Sequence, residues 1–171
     1  MPTVEEVLRE LPRARIAFVF KSRDPNDADA LVAAFRRAGV QIGDRFAFTG
    51  SEPVVARMRQ LAPRAWAYDP KSGKSCLTDY VKIGWTGIVP SSCRDTTVIV
   101  PLNYRWVLWG WPYRFLARMA GANSRVVIWG SYRNGGVAAL NRPEQYDQVP
   151  ADFHGWLYVD DFYTMGPALR R

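Results

Sequence analysis

Apolar residues along the chain alternate between short continuous runs and a helical spacing. Residues 16–20 are continuously apolar, as expected of a strand that is covered on both faces. From Ala28 to Phe35 the apolar residues instead recur every three or four positions, which predicts a helix that ends at Gly39. Thr3 and Glu6 have the spacing of a capping box and predict the start of an earlier helix. The cycle of strand and helix repeats along the chain.

The predicted strands share short apolar runs bounded by turn residues. They are 15–20, 45–48, 65–68, 86–89, 97–101, 125–129 and 155–159. The predicted helices share an apolar face and lie at 4–11, 25–39, 51–61, 76–84 and 112–121, with a further helical turn at Pro143. This alternation predicts an α/β fold with a parallel sheet and right-handed crossovers, arranged as a single domain over 1–171.

Two α/β architectures satisfy this pattern. One is an open, doubly wound parallel sheet. The other is part of a (β/α)8 barrel, which typically needs about 250 residues. No Gly-rich phosphate-binding motif follows any predicted strand, so the usual nucleotide-binding sheets have no support.

Composition adds limits on location and partners. The chain has no stretch of about 20 apolar residues and no basic-then-apolar leader, so we expect a cytoplasmic protein. Cys76 and Cys93, with one distant histidine, do not form a zinc pattern, and we expect them to be buried free thiols. The net charge is +7, but the arginines are scattered, which favours a solvated basic surface over a nucleic-acid site.

Several segments in the same order along the chain together resemble the glycerophosphodiester phosphodiesterase family, whose fold is a phospholipase-C-like (β/α)8 barrel. These segments are Pro-Thr-Val-Glu-Glu-Val-Leu at 2–8, the strand and lysine at 16–21, Gly-Trp-Thr-Gly with Val-Pro at 84–90, Val-Pro-Leu-Asn-Tyr at 100–104, the stretch 109–119, and Pro-Glu-Gln at 143–145. The resemblance implies strands three to eight of the barrel, its C-terminal two-thirds only.

The resemblance implies a phosphoric diester hydrolase that acts on lipid-derived glycerophosphodiesters and uses Ca²⁺ or Mg²⁺. The family's paired histidines and acidic metal-binding cluster cannot be placed in this chain, and its third-strand glutamate aligns with Val19. No catalytic residues can be named, and whether the chain is an enzyme stays open. We therefore expect an incomplete, inactive barrel, or alternatively a non-catalytic barrel fragment that binds a phosphate ligand or a partner.

Substrate-binding candidates follow from the rule that barrel sites gather at the carboxyl ends of strands. The rule selects Lys21, Asn103, Trp129 and Asp160, as well as Asp69. Lys21 could contact a phosphate of a small phosphodiester or form a salt bridge. Trp129 could pack on a ligand or belong to the core, and for Asn103 a turn of the chain is favoured. For Asp69 and Asp160 solvated loop carboxylates are favoured, and nothing indicates that they converge on a metal.

Three further expectations concern surfaces. His154 precedes the last strand, at the end of a barrel opposite the usual site, so a surface or structural role is favoured. The segment 106–119 mixes aromatics with arginines, and packing on the barrel is favoured over membrane contact. A six-unit piece of a barrel would leave two sheet edges bare, so we expect self-association.

Overall fold

The computed structural model describes residues 2–133 and 136–168 and is a mixed α/β structure with parallel sheets. The α/β class predicted from the sequence is confirmed. Six of the eight described strands form two three-stranded parallel sheets, the other two pair antiparallel, and no closed barrel is formed by the described strands. The chain divides into two compact units, Met1–Pro70 and Lys71–Arg171. A single domain over 1–171 stays a prediction, and each unit is described by itself.

The first unit alternates helices and strands in the predicted order. Its elements are α1 (Val4–Glu10), β1 (Ile16–Val19), α2 (Asn26–Arg37), β2 (Phe46–Thr49), α3 (Glu52–Leu61) and β3 (Trp66–Tyr68). The strands are parallel and lie in chain order, β1-β2-β3. Each connection between neighbouring strands is therefore a helix of ten or twelve residues, long enough for a parallel crossover.

Polar residues stand just before each helix of the first unit, but their side chains do not all cap it. The predicted capping box is confirmed, because Thr3 N donates to Glu6 Oε2 at 2.8 Å and Glu6 N donates to Thr3 Oγ1 at 3.2 Å. Before α2, Asp24 Oδ1 accepts from Asn26 N at 3.0 Å. Ser51 stands at the start of α3, but its hydroxyl donates to the Ser22 carbonyl at 3.2 Å instead of capping the helix.

All three helices of the first unit share one core with one face of the sheet. The register pairs Phe18 with Phe48, and both side chains lie in this core with Phe35 of α2. The residues next to Phe18 and Phe48 along their strands face the other side of the sheet, because side chains alternate along a strand. On that opposite face Val19 is 54% exposed. One side of the sheet is thus covered by helices and the other is open at β1.

The second unit contains a parallel sheet, a short antiparallel pair and additional turns. Its helices are α4 (Pro70–Ile83, whose first residue closes the first unit), α5 (Tyr113–Gly121), α6 (Pro143–Tyr146) and α7 (Phe162–Ala168). Its strands are β4 (Thr97–Pro101), β5 (Arg125–Trp129), β6 (Tyr132–Arg133), β7 (Gly136–Val137) and β8 (Trp156–Leu157). Strands β4-β5-β8 are parallel in that order, and β6 pairs antiparallel with β7.

The core of the second unit packs α4 and α5 on one face of its sheet. Tyr80 of α4 and Phe115 of α5 are fully buried, with ring centroids 5.1 Å apart, against Ile128 of β5. Arg118 donates from Nη1 to Tyr80 Oη at 2.7 Å and to the Gly84 carbonyl at 2.8 Å. This guanidinium therefore ties α5 to the C-terminal end of α4.

Two sequence predictions are wrong in this unit. No strand forms at 86–89, where a 3-10 turn at Gly84–Thr86 is followed by Gly87 in the left-handed region. The Thr86 hydroxyl donates to the Ile83 carbonyl and accepts from Ile88 N, which closes the turn locally. The cysteines are buried as expected, but Cys76 and Cys93 form a disulfide with their Cα atoms 4.6 Å apart and are not free thiols.

Membrane-spanning helices were searched for throughout residues 2–133 and 136–168. None of the helices in these ranges is both long and apolar enough to cross a bilayer.

Candidate functional site

Three of the four predicted substrate-binding residues lie at the carboxyl edge of the second unit's parallel sheet. Asn103 follows β4, Trp129 ends β5, and Asp160 follows β8. The three strands are neighbours in the sheet and run in the same direction, so their carboxyl ends share one edge. The rule that sites lie at the carboxyl ends of strands therefore selected three positions on one edge, although it did not use the strand order.

A stacked aromatic pair forms the centre of this edge. The rings of Trp129 and Tyr158 lie with centroids 4.1 Å apart and planes inclined by 15°. Both side chains lie on the sheet face opposite Ile128, which points into the helix-covered core. Trp129 is half-buried and Tyr158 is 39% exposed, so the pair presents aromatic surface to solvent.

Asp160 holds this pair in place through the tyrosine hydroxyl. A hydrogen bond with the Asp160 carboxylate, followed by partial burial and the carboxylate charge, raises the pKa of Tyr158. The backbone N–H groups of Asp160 and Asp161 both donate to Asn141 Oδ1 at 3.1 Å. Asp160 thus orients Tyr158, while Asn141 fixes the loop that carries Asp160.

Asn103 fixes a second loop of the same edge. Its Nδ2 donates to the Tyr132 carbonyl at 3.0 Å, and its Oδ1 accepts from Tyr132 N at 2.8 Å. The Tyr132 ring packs edge-on against Tyr104 with centroids 5.9 Å apart. Since the nitrogen and the oxygen of the Asn103 amide both bind the backbone of Tyr132, Asn103 positions strand β6. This agrees with the sequence analysis, which favoured a role in turning the chain over a substrate contact.

Lys21 lies in the first unit and belongs to a different neighbourhood. It follows β1, is exposed, and lines a shallow cavity with Phe18, Asp27 and Arg37. Within residues 2–133 and 136–168 no carboxylate lies within salt-bridge distance of its ammonium group. The other residue selected by the geometric rule, Asp69, is 7% exposed and engaged with partners, so it is not a solvated loop carboxylate.

The implied divalent metal does not fit the residues that are present. In the described part of the chain no three His, Cys, Asp or Glu side chains come together as ligands. The resemblance would require a metal-binding carboxylate at position 19, where Val19 offers no side-chain oxygen. His154 is exposed and precedes β8, so it lies at the amino end of that strand, away from the edge that carries Asp160.

Sequence reasoning missed the partners that complete this edge. Tyr158 lies at the position aligned with Trp129 in the register of β5 and β8, and a search for aromatics on the open face of each strand would have found it. Tyr132 and Asn141 act through loop hydrogen bonds between residues 29 and 19 positions apart along the chain. Nothing in the local sequence indicates these two contacts.

Chemically, the edge presents an aromatic face that suits the carbon skeleton of a small polar molecule. Its two carboxylates are engaged by neighbours, Asp160 by the Tyr158 hydroxyl and Asp161 by the Thr164 hydroxyl at 2.6 Å. As to known proteins, no family model, curated protein or solved structure matches the chain.

Proposed function

We propose that the two parallel sheets are parts of a (β/α)8-type barrel. Within each sheet the strands follow chain order without reversal, whereas a doubly wound sheet reverses its strand order partway. In the first unit α2 and α3 share one core with a single sheet face, which half of a doubly wound sheet would also show. On the opposite face only the edge strand is open, since Val19 of β1 is 54% exposed while Ala47 of β2 and Trp66 of β3 are 1% and 8% exposed. The barrel proposal therefore rests on the strand order.

We infer further that the chain is a glycerophosphodiester phosphodiesterase-like protein that binds a small glycerophosphodiester and does not hydrolyse it as the isolated chain. The observation that carries this proposal is the Trp129–Tyr158 stack at the carboxyl edge of β4-β5-β8. This edge is where barrel proteins bind ligands. Aromatic faces of this kind pack against the carbon skeleton of glycerol and similar alcohols.

The proposal assigns separate roles to the remaining polar residues. Asp160 and Asn103 orient the aromatic pair and the β6 loop through the hydrogen bonds described above. In a site of its own within the first unit, Lys21 keeps its proposed role as a phosphate contact, because its ammonium has no carboxylate partner in the described ranges. A cytoplasmic location belongs to the same proposal.

Replacing Trp129 by alanine is expected to weaken binding of glycerophosphocholine by roughly tenfold, the effect of losing about 1.4 kcal/mol of ring contact. Isothermal titration calorimetry of the purified chain measures this directly. Trp85→Ala is the matched control, because Trp85 is 67% exposed on a turn outside this edge. Lys21→Ala tests the phosphate contact separately and should weaken binding of sn-glycerol 3-phosphate at low salt.

The same protein should release no glycerol 3-phosphate from glycerophosphocholine, with or without Ca²⁺ or Mg²⁺. Metal-dependent release would contradict the assignment of a non-catalytic site. If glycerophosphocholine and glycerol 3-phosphate both fail to bind, or bind equally well after Trp129→Ala, the proposed ligand site is wrong.

We also propose that the chain self-associates through the outer edge of strand β1. Ile16 N and Phe20 N donate to carbonyls beside β2, so by alternation the N–H groups of Ala17 and Val19 point away from it. In the described residues no strand pairs with that second edge. Light scattering should find an oligomer that Ala17→Pro reduces towards monomer, since proline removes one outward donor. A monodisperse wild-type monomer would refute the proposal.

A further inference from the structure

The second unit carries several exposed aromatic and aliphatic side chains on segments that hydrogen bonds join together. The most exposed of them are Trp106 at 77%, Tyr113 at 68%, Trp85 at 67%, Ile88 at 62% and Trp109 at 48%. We call these five residues the aromatic surface. Scattered exposed apolar residues are ordinary on soluble proteins, whereas several large ones on connected segments mark an interaction site.

Hydrogen bonds join the segments that carry the aromatic surface. Trp109 Nε1 donates to the Val81 carbonyl at 2.9 Å, and Tyr80 Oη donates to the Trp109 carbonyl at 2.8 Å. Through Arg118 the helix α5, which begins at Tyr113, binds the Gly84 carbonyl next to Trp85. Trp106 precedes Trp109 by three residues in a run of tight turns. The five side chains therefore belong to segments that are bonded to one another and not to independent loops.

The core accounts for only part of this aromatic-rich stretch. Trp111, Phe115 and Met119 point into the core of the second unit, as the packing prediction for 106–119 expected. Trp106, Trp109 and Tyr113 point outward instead. Packing against the unit's own core thus explains the first group and leaves the second group without that explanation.

The charge around the aromatic surface is mainly basic. From Asp79 to Met119, the stretch that carries the five residues, the sequence contains five basic residues (Lys82, Arg94, Arg105, Arg114 and Arg118) and two acidic ones, Asp79 and Asp95. Arg114 is exposed next to Tyr113, and Lys82 lies at the end of α4. The nearest acid along α4 is Asp79, which lies 3.8 Å from Lys82 and accepts a hydrogen bond from Ser92. An anionic partner therefore complements this surface, whereas a second copy would oppose arginine to arginine across a two-fold axis.

We propose that the aromatic surface docks on an anionic lipid bilayer. Tryptophan and tyrosine favour the bilayer interface, and arginine and lysine bind its negatively charged headgroups. The aliphatic side chain of Ile88 and the absence of an arginine run distinguish the surface from a nucleic-acid site, where stacked rings track a phosphate backbone. Docking of this kind is peripheral, with the rings at the headgroup level. It does not depend on the proposed ligand site at Trp129.

Vesicle co-sedimentation of the full chain tests this proposal. We expect binding to vesicles of phosphatidylcholine with phosphatidylserine and little binding to phosphatidylcholine alone, with a decrease as salt rises. Trp85→Ser/Trp106→Ser should lower the partition coefficient by roughly tenfold or more, because two interfacial indoles are lost. Arg114→Gln should lower it by a smaller factor. Tyr163→Ser is the matched control, since Tyr163 is a 93% exposed aromatic on α7.

Several results would overturn it. They are an absence of binding to both vesicle types, equal binding by the tryptophan double variant and the wild type, and binding to single-stranded RNA without binding to vesicles. Circular dichroism of each variant guards against unfolding. Glycerophosphocholine titration of Trp85→Ser should match the wild type, and the single Trp85 variant is used because Trp106 Nε1 donates to the Asn103 carbonyl at 3.0 Å. Loss of ligand binding with retained vesicle binding would concern only the Trp129 site.

Discussion

Replacing Phe35 by alanine is expected to lower the free energy of unfolding of the first unit by about 3–5 kcal/mol. Phe35 is 1% exposed, and its ring lies 4.8 Å from Phe46, 5.5 Å from Phe18 and 6.1 Å from Phe48, centroid to centroid. The substitution removes apolar burial and three edge-on aromatic contacts at once, and it leaves a cavity between α2 and the sheet. Urea denaturation followed by circular dichroism measures the loss.

Two companion variants make the result specific. Phe35→Leu keeps most of the volume and should lose roughly 1.5 kcal/mol. Val19→Ala removes two methyl groups from a side chain that is 54% exposed and should change stability by no more than about 0.5 kcal/mol. A loss below about 1 kcal/mol for Phe35→Ala would mean that α2 does not pack on the sheet as described. Since the chain has two compact units, a separate transition for each is a further outcome to resolve.

Much of the fold could be predicted because its signals are local. The apolar run 16–20, the spacing from Ala28 to Phe35 and the Thr3–Glu6 capping box each fix an element within a few residues. The strand predicted at 86–89 does not form, and the reason is also local. Those four residues are apolar enough for a strand, but Gly87 adopts φ 88° and the Thr86 hydroxyl closes a turn, which an apolar pattern does not reveal.

The candidate site was predictable only as a set of positions. Parallel strands place their carboxyl ends together, so Asn103, Trp129 and Asp160 could be grouped without knowing their contacts. The structural role of each residue depends on a partner far away along the chain. Trp129 stacks on Tyr158, and Asn103 binds the backbone of Tyr132. Lys21 shows the limit of the rule, because it ends a strand of the other sheet and lies in a different unit.

The cysteine prediction failed for a similar reason. A separation of seventeen residues is compatible with a disulfide, a pair of free thiols or no contact at all. The pairing follows from tertiary structure, because α4 presents Cys76 to the 3-10 turn Ser91–Cys93, with both residues fully buried. A buried environment alone, which the sequence does predict, cannot distinguish these cases.

Replacing Cys76 and Cys93 together by alanine is expected to lower the free energy of unfolding of the second unit by about 3 kcal/mol. The bond closes a loop with a sequence separation of 17, and a crosslink of that length restricts the unfolded chain by about this amount. Urea denaturation of wild type and double variant, without reductant, measures the difference. Adding dithiothreitol should destabilise the wild type by a similar amount and leave the double variant unchanged.

The reductant separates the loss of the crosslink from the loss of buried sulfur atoms, because the reduced wild type keeps both thiols in the core. Alkylation of the unfolded, unreduced wild type provides the direct chemical assay, and it should modify neither cysteine. Modification of both would restore the free-thiol interpretation. A cytoplasmic location predicts a reduced pair in the cell, since disulfides persist mainly in oxidising compartments. Finding the pair oxidised in freshly lysed, alkylated cells would therefore count against that location and for the crosslink.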